Sequence, residues 1–119
     1  MRKSLRIASI GAHPADIFDA SGGTMAHHAA RGDHVVCVSL THGARVHDEV
    51  ISSSLFKAET IPEKNELEGI IEERSDVKAE EVRKACRLLG VTDVYLLGFD
   101  DAVMLINDKW VRRLGRLLR

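Results

Sequence analysis

The residues best suited to chemistry stand near the start of the chain, in Gly11-Ala12-His13-Pro14-Ala15-Asp16, continued by Ile17-Phe18-Asp19-Ala20-Ser21-Gly22-Gly23-Thr24. His13 and Asp16 are three apart, and Pro14 between them stiffens the turn by fixing its own φ. An imidazole nitrogen with a carboxylate oxygen suits Zn2+, and a catalytic zinc takes three protein ligands and keeps one position open for water. Such an ion lowers the pKa of its water to about 7 and polarises a carbonyl oxygen. Another divalent ion, Fe2+ or Co2+, fits the same donors. The His-x-x-Asp spacing equally fits a turn histidine beside an N-capping aspartate, Asp16 or Asp19. Spacing alone leaves both readings open.

The elements around this stretch say where it must lie. Leu5 to Ile10 is a short, continuous run, as expected of a parallel strand covered on both faces. Gly11 lets the backbone turn closely, and Ser21-Gly22-Gly23 is read as a place where the backbone passes near a ligand or another element. No G-x-G-x-x-G fingerprint is present, which argues against a dinucleotide. A helix is expected from about Ala20 to Ala30, with Met25, Ala26, Ala29 and Ala30 as its packing face and Gly32 ending it. His34 to Leu40, rich in valine, is the second strand. Strand, helix and strand imply a right-handed parallel crossover. His13 then sits where a strand hands over to a helix, the edge of an open α/β sheet where ligands bind.

Further along, the pattern weakens between Gly43 and Asp76. Ile51, Leu55 and Phe56 suggest a short helix or a contact surface, and Glu63 to Glu73 an exposed acidic helix. Val77 to Leu89 is amphipathic, with Val82, Ala85, Cys86 and Leu89 on one face. Val94 to Leu97 is a third strand, and Asp100-Asp101 follows it on the same rim as His13. Asn107 or Asp108 caps a last helix with an apolar stripe of Trp110, Val111, Leu114, Leu117 and Leu118. The expected fold is a single α/β domain over residues 1–119, a Rossmann-like three-layer arrangement with a small parallel sheet and helices on both faces. A three-stranded sheet leaves a bare edge, so a homo-oligomer is expected.

Composition excludes several classes. A net charge of −1 gives no basic footprint for nucleic acid, and aromatics at 4% supply few stacking platforms. No apolar run approaches a membrane span, and Met1-Arg2-Lys3-Ser4 is followed by too short an apolar run for a signal peptide, so a cytoplasmic location is expected. Cys37 and Cys86 are read as two reduced core residues.

Several motifs occur in a fixed order: Ala12-His13-Pro14-Ala15-Asp16, Gly22-Gly23-Thr24, Arg31-Gly32-Asp33, Ser39-Leu40-Thr41-His42-Gly43, Leu89-Gly90-Val91 and Leu97-Gly98-Phe99-Asp100-Asp101. This series resembles the LmbE/PIG-L family, zinc-dependent de-N-acetylases of N-acetylglucosamine-type conjugates and related amides. The resemblance implies that His13 and Asp16 are the first two zinc ligands and that a small N-acetylated molecule is the substrate. It departs from the family at Ala15, where the proton-accepting aspartate stands, at Ile17, where a glutamate often follows, at His42, usually aspartate, and at Lys78, commonly arginine. The family's third ligand lies in a histidine-rich motif beyond residue 119, so the chain is read as the N-terminal portion of a longer domain, with the missing ligand expected from His42, His47, a second subunit or that further portion.

A methyl group at position 15 cannot accept a proton. Asp19, three residues beyond Asp16 and on the same side of a helix start, is the candidate replacement base. His42, Arg45 and His47 in a loop dense in polar groups, with Lys78 and Asp101, are candidate substrate-binding residues. The leading expectation is a metal-dependent de-N-acetylase. The alternatives are a metal- or sugar-binding relative without turnover, and an α/β module that serves oligomerisation.

Overall fold

The computed structural model describes residues 2–57, 62–102 and 106–119, with the side chains of Ser54 and Phe56 set aside, so any contact surface built on Phe56 lies outside what is described. Along the chain run β1 (Arg6–Gly11), α1 (Asp16–Ala30), β2 (His34–Thr41), α2 (Glu49–Lys57), α3 (Lys64–Leu88), β3 (Asp93–Phe99) and α4 (Asp108–Leu117). The strands form one parallel sheet in the order β1-β2-β3, with Arg6 opposite His34 and Val36 opposite Asp93 at its start.

Alternation along β2 divides the core into two layers. Val35 and Cys37 face α1 and α3, where Ile17, Met25, Val82, Cys86 and Val91 are buried with them. Val38 faces the other way with Leu97 and Phe99, and Trp110, Leu114 and Leu117 of α4 cover that side. The Phe99 and Trp110 ring centroids lie 3.6 Å apart. Helices therefore cover both faces of a small parallel sheet, as the sequence led one to expect. Asn107 caps α4, accepting from the N–H groups of Lys109 and Trp110. Cys37 and Cys86 are free and buried.

Three local expectations are corrected. Helix α1 begins at Asp16, about one turn before the expected start near Ala20, so Gly22 and Gly23 lie inside the helix. A Cβ at Gly22 would come no nearer than 3.9 Å to Phe18, and at Gly23 it would meet nothing, so no element approaches the backbone there. The residue before the helix is Ala15, without a side-chain cap, and Asp16 turns back to His13 instead. Finally, the acidic stretch and the amphipathic stretch form one helix of 25 residues, α3. Its buried Ile71 and Val82 are eleven apart, three turns on the same face, but they serve different clusters. Val82 packs on the sheet, while Ile71, with Leu67 and Ile70, packs on Ala44 and Ile51. The repeat is blurred because two partners read one face.

Candidate active site

The three strands end side by side, and the turns beyond them are sewn together. Thr41 donates its N–H and its hydroxyl to the Ala12 carbonyl, at 2.9 and 2.7 Å, tying the end of β2 to the turn after β1. The His42 N–H donates to the Phe99 carbonyl at 2.9 Å, tying the same point to the end of β3. Gly11 makes the first turn compact: a Cβ there would lie 3.0 Å from the Asp16 Cβ and 3.0 Å from the Ile17 nitrogen. Gly43 has φ of +68° and lies so close to Pro14 that a Cβ would come within 2.8 Å of its ring.

This packing puts His13 and Asp16 together. The Asp16 carboxylate accepts the His13 backbone N–H at 2.8 Å and lies 3.2 Å from the His13 Nδ1. The backbone N–H of His13 first, then its ring and the nearby His47, together outweigh the opposing effect of burial and hold the Asp16 carboxyl below its ordinary value. Both side chains are open to solvent, 28% for His13 and 47% for Asp16. The His47 ring stands edge-on to His13, centroids 4.0 Å apart. Asp19 lies exposed in the first turn of α1, and its side chain makes no hydrogen bond or ion pair among the described residues.

The remaining candidates are engaged within the chain. Asp101, its side chain fully buried, accepts the N–H groups of Arg45 and Val46 at 3.0 and 2.8 Å. Burial pushes its carboxyl up, and those N–H groups and His42 more than reverse the effect. Arg45 is forked between Asp100 and Glu68. Lys78 lies 3.6 Å from Asp48 and donates to the His47 carbonyl at 3.4 Å. His42 is half-buried, its Nδ1 accepting the Ala44 N–H at 3.0 Å and lying 3.3 Å from Asp101.

Asp48 received no role from the sequence. Its side chain is 2% exposed, accepts the N–H groups of Val50 and Ile51 at the head of α2, and pairs with Arg74 at 3.1 Å. Its position directly before a helix was the available signal.

Two groups could hold a cation. Ligand atoms of His42, Asp100 and Asp101 all lie within 4.8 Å of one another. There, however, the Asp101 oxygens already accept two backbone N–H groups and Asp100 carries the Arg45 guanidinium. His13 and Asp16 have free lone pairs, an anionic oxygen and access to solvent, and no cation competes for them among the described residues. A divalent ion of the zinc kind fits that pair better. A concavity of about 880 Å³ lies elsewhere, between Tyr95 and the cationic side chains of α4, and holds none of these groups.

The pattern of the family described as PIG-L: GlcNAc-PI de-N-acetylase matches residues 8–119. A 1D-myo-inositol 2-acetamido-2-deoxy-alpha-D-glucopyranoside deacetylase of Thermomonospora curvata is 37% identical over 97 residues, covering 78% of this chain and 28% of that protein. The enzyme of the same name from Salinispora arenicola is 35% identical over 96 residues, 78% of this chain and 27% of that protein. The chain thus spans little more than a quarter of the length of these relatives. Among solved structures, N,N'-diacetylchitobiose deacetylase from Pyrococcus horikoshii superposes with a TM-score of 0.74 at 24% identity, over 98% of this chain and 38% of that one. GalB, the 4-carboxy-2-hydroxymuconate hydratase of Pseudomonas putida KT2440, does so with a TM-score of 0.73 at 23% identity, over 97% and 42%. The two likenesses establish a shared fold, which by itself fixes no chemistry.

Proposed function

Because this chain belongs to the PIG-L family of GlcNAc-PI de-N-acetylases, we propose that it serves the metal-dependent hydrolysis of an N-acetyl group on an amino-sugar conjugate, releasing acetate and the free amine. The observation that carries this reading is the His13–Asp16 pair, 3.2 Å from ring nitrogen to carboxylate, open to solvent where β1 ends. The deacetylase names of two curated relatives support the substrate class.

His13 and Asp16 hold the ion in this reading. Zn2+ or another divalent ion supplies Lewis acidity toward the amide carbonyl and its attacking water. The Asp16 oxygen is fixed by the His13 N–H, so the donors are oriented before any ligand arrives. Asp19 takes the proton that Ala15 cannot, and returns it to the leaving nitrogen. His42 and His47 contact the substrate at the rim, while Arg45, Lys78 and Asp101 act through the loop they hold. Two free, buried cysteines support a reducing, cytoplasmic compartment, and none of the helices among the described residues is long and apolar enough to cross a membrane. The sheet edges at β1 and β3 support self-association.

The test is acetate release from a panel of 2-acetamido-2-deoxy sugars and their conjugates, with Zn2+ at saturation. Release that stops with Asp16→Ala is the expected result. Ala15 specifically favours a second reading, a metal-binding relative without turnover: uptake of Zn2+ with no acetate from any substrate would select it.

A further inference from the structure

The concavity between Tyr95 and α4 lies apart from the His13 turn, and four cationic side chains line it: Lys109, Arg112, Arg113 and Arg116. They stand at i, i+3, i+4 and i+7, so they form one stripe along about 10 Å of helix axis. We infer that this cleft binds a compact anion carrying two or more phosphate groups, at a site that needs neither His13 nor Asp16.

The stripe does not serve the fold. Trp110, Leu114 and Leu117 pack α4 on the sheet, while the four cations are exposed. Like charges three and four apart on a helix repel one another, so the stripe costs helix stability. Elsewhere Arg45, Arg74 and Arg87 are paired with carboxylates. Among the described residues the α4 cations touch aromatic rings instead. The Lys109 Nζ lies 5.5 Å from the centre of the Trp110 ring, and the Arg113 guanidinium 5.7 Å from the same ring and 6.0 Å from that of Phe99. Such contacts orient the charged heads without neutralising them.

A guanidinium takes a phosphate through two parallel N–H donors, and an ammonium takes it as a point charge. Four such heads over two helical turns match more than one phosphate. Tyr95, 45% exposed on the edge strand β3, adds a ring face and a hydroxyl on the other wall. The positive charge is local. Residues 108–119 hold five cationic side chains against Asp108 alone, yet the whole chain carries a net charge of −1. The surface beyond the stripe therefore repels a long polyanion or an anionic membrane, and a small molecule seated in the concavity avoids that repulsion.

The test is calorimetric titration of the purified chain with tripolyphosphate, pyrophosphate and orthophosphate, at low salt and without added metal. Tripolyphosphate and pyrophosphate should bind, and more tightly than orthophosphate. Arg112→Gln and Arg116→Gln, each checked for fold by circular dichroism, should weaken that binding by about tenfold or more. Lys84→Gln, which removes an exposed cation of α3 outside the cleft, should leave it unchanged. No binding by the unaltered chain, equal affinity for orthophosphate, parent affinity in both folded arginine variants, or an equal loss in Lys84→Gln overturns the site. So does binding to a single-stranded oligonucleotide or to phosphatidylserine vesicles without binding to pyrophosphate.

Discussion

His13 and Asp16 touch twice: one carboxylate oxygen accepts the histidine's backbone N–H at 2.8 Å and lies 3.2 Å from its ring Nδ1. An aspartate that would otherwise cap helix α1 has turned back toward the strand. Helix capping is given up, since Ala15 offers no side-chain cap, and a fixed, anionic oxygen is presented beside an imidazole.

Asp16→Ala should remove that oxygen and weaken divalent-ion binding by about 100-fold or more. Its effect on stability should be small, within about 1 kcal/mol, because the side chain is 47% exposed. Metal titration and urea unfolding separate the two. Asp19→Ala should leave metal affinity unchanged and lower acetate release; full release would dismiss Asp19 as base.

With Asp19 as the base, Ala15→Asp should change turnover little; a rise of about 100-fold or more, the usual contribution of a positioned base, would show that Asp19 does not fill that role. Initial rates on one N-acetylated amino sugar, with the parent as reference, give the ratio. No gain would mean that the proton is already handled by another group.

Gly43 and Gly32 give a controlled pair. Both have positive φ, +68° and +80°, but a Cβ at Gly43 would meet Pro14 at 2.8 Å, whereas at Gly32 it would meet nothing within 4 Å. Gly32→Ala should cost only the left-handed strain, about 1 kcal/mol. Gly43→Ala should cost more, about 2–3 kcal/mol with the clash added, and should weaken metal binding by shifting the His13 turn. Denaturant unfolding and Co2+ titration of the two variants test this.

Asp48→Ala should destabilise the fold by about 3 kcal/mol, since it strips two N–H groups at the head of α2 and leaves Arg74 and Lys78 without their buried partner. A urea midpoint unchanged from the parent would show that the clamp contributes nothing.

Acid should unfold the protein through the same carboxylates. Burial pushes the Asp48 carboxyl up, but the Ile51 N–H, Arg74 and Lys78 bring it below 3.8, and Asp101 is likewise lowered. Below its ordinary pKa the unfolded chain binds the protons that the folded one still refuses. The contribution is therefore complete above about pH 5, shrinks as pH falls past 3.8, and is gone below the folded-state pKa values. Stability measured from pH 7 to 3 should fall on the acid side, and Asp48→Asn should flatten that fall.

The order of apolar and turn residues along the chain was enough to set the layers and the place of the His13–Asp16 turn. Valines at β2 must alternate between two faces, an apolar stripe from Trp110 must lie on one of them, and a turn after β1 must open at the strands' carboxyl ends, because side-chain period and crossover handedness are local rules. Only the tertiary structure decided which polar residues are free. His42, Arg45, Lys78 and Asp101 looked alike as exposed polar groups, yet Asp101 and Arg45 close the loop after β2 on the loop after β3, and Lys78 closes it on α3. The seating of Gly43 on Pro14 and of His47 against His13 was equally invisible. Each joins residues some thirty to sixty positions apart, and whether a charged group is spent on a neighbour or left for a ligand depends on distances that no spacing along the chain contains.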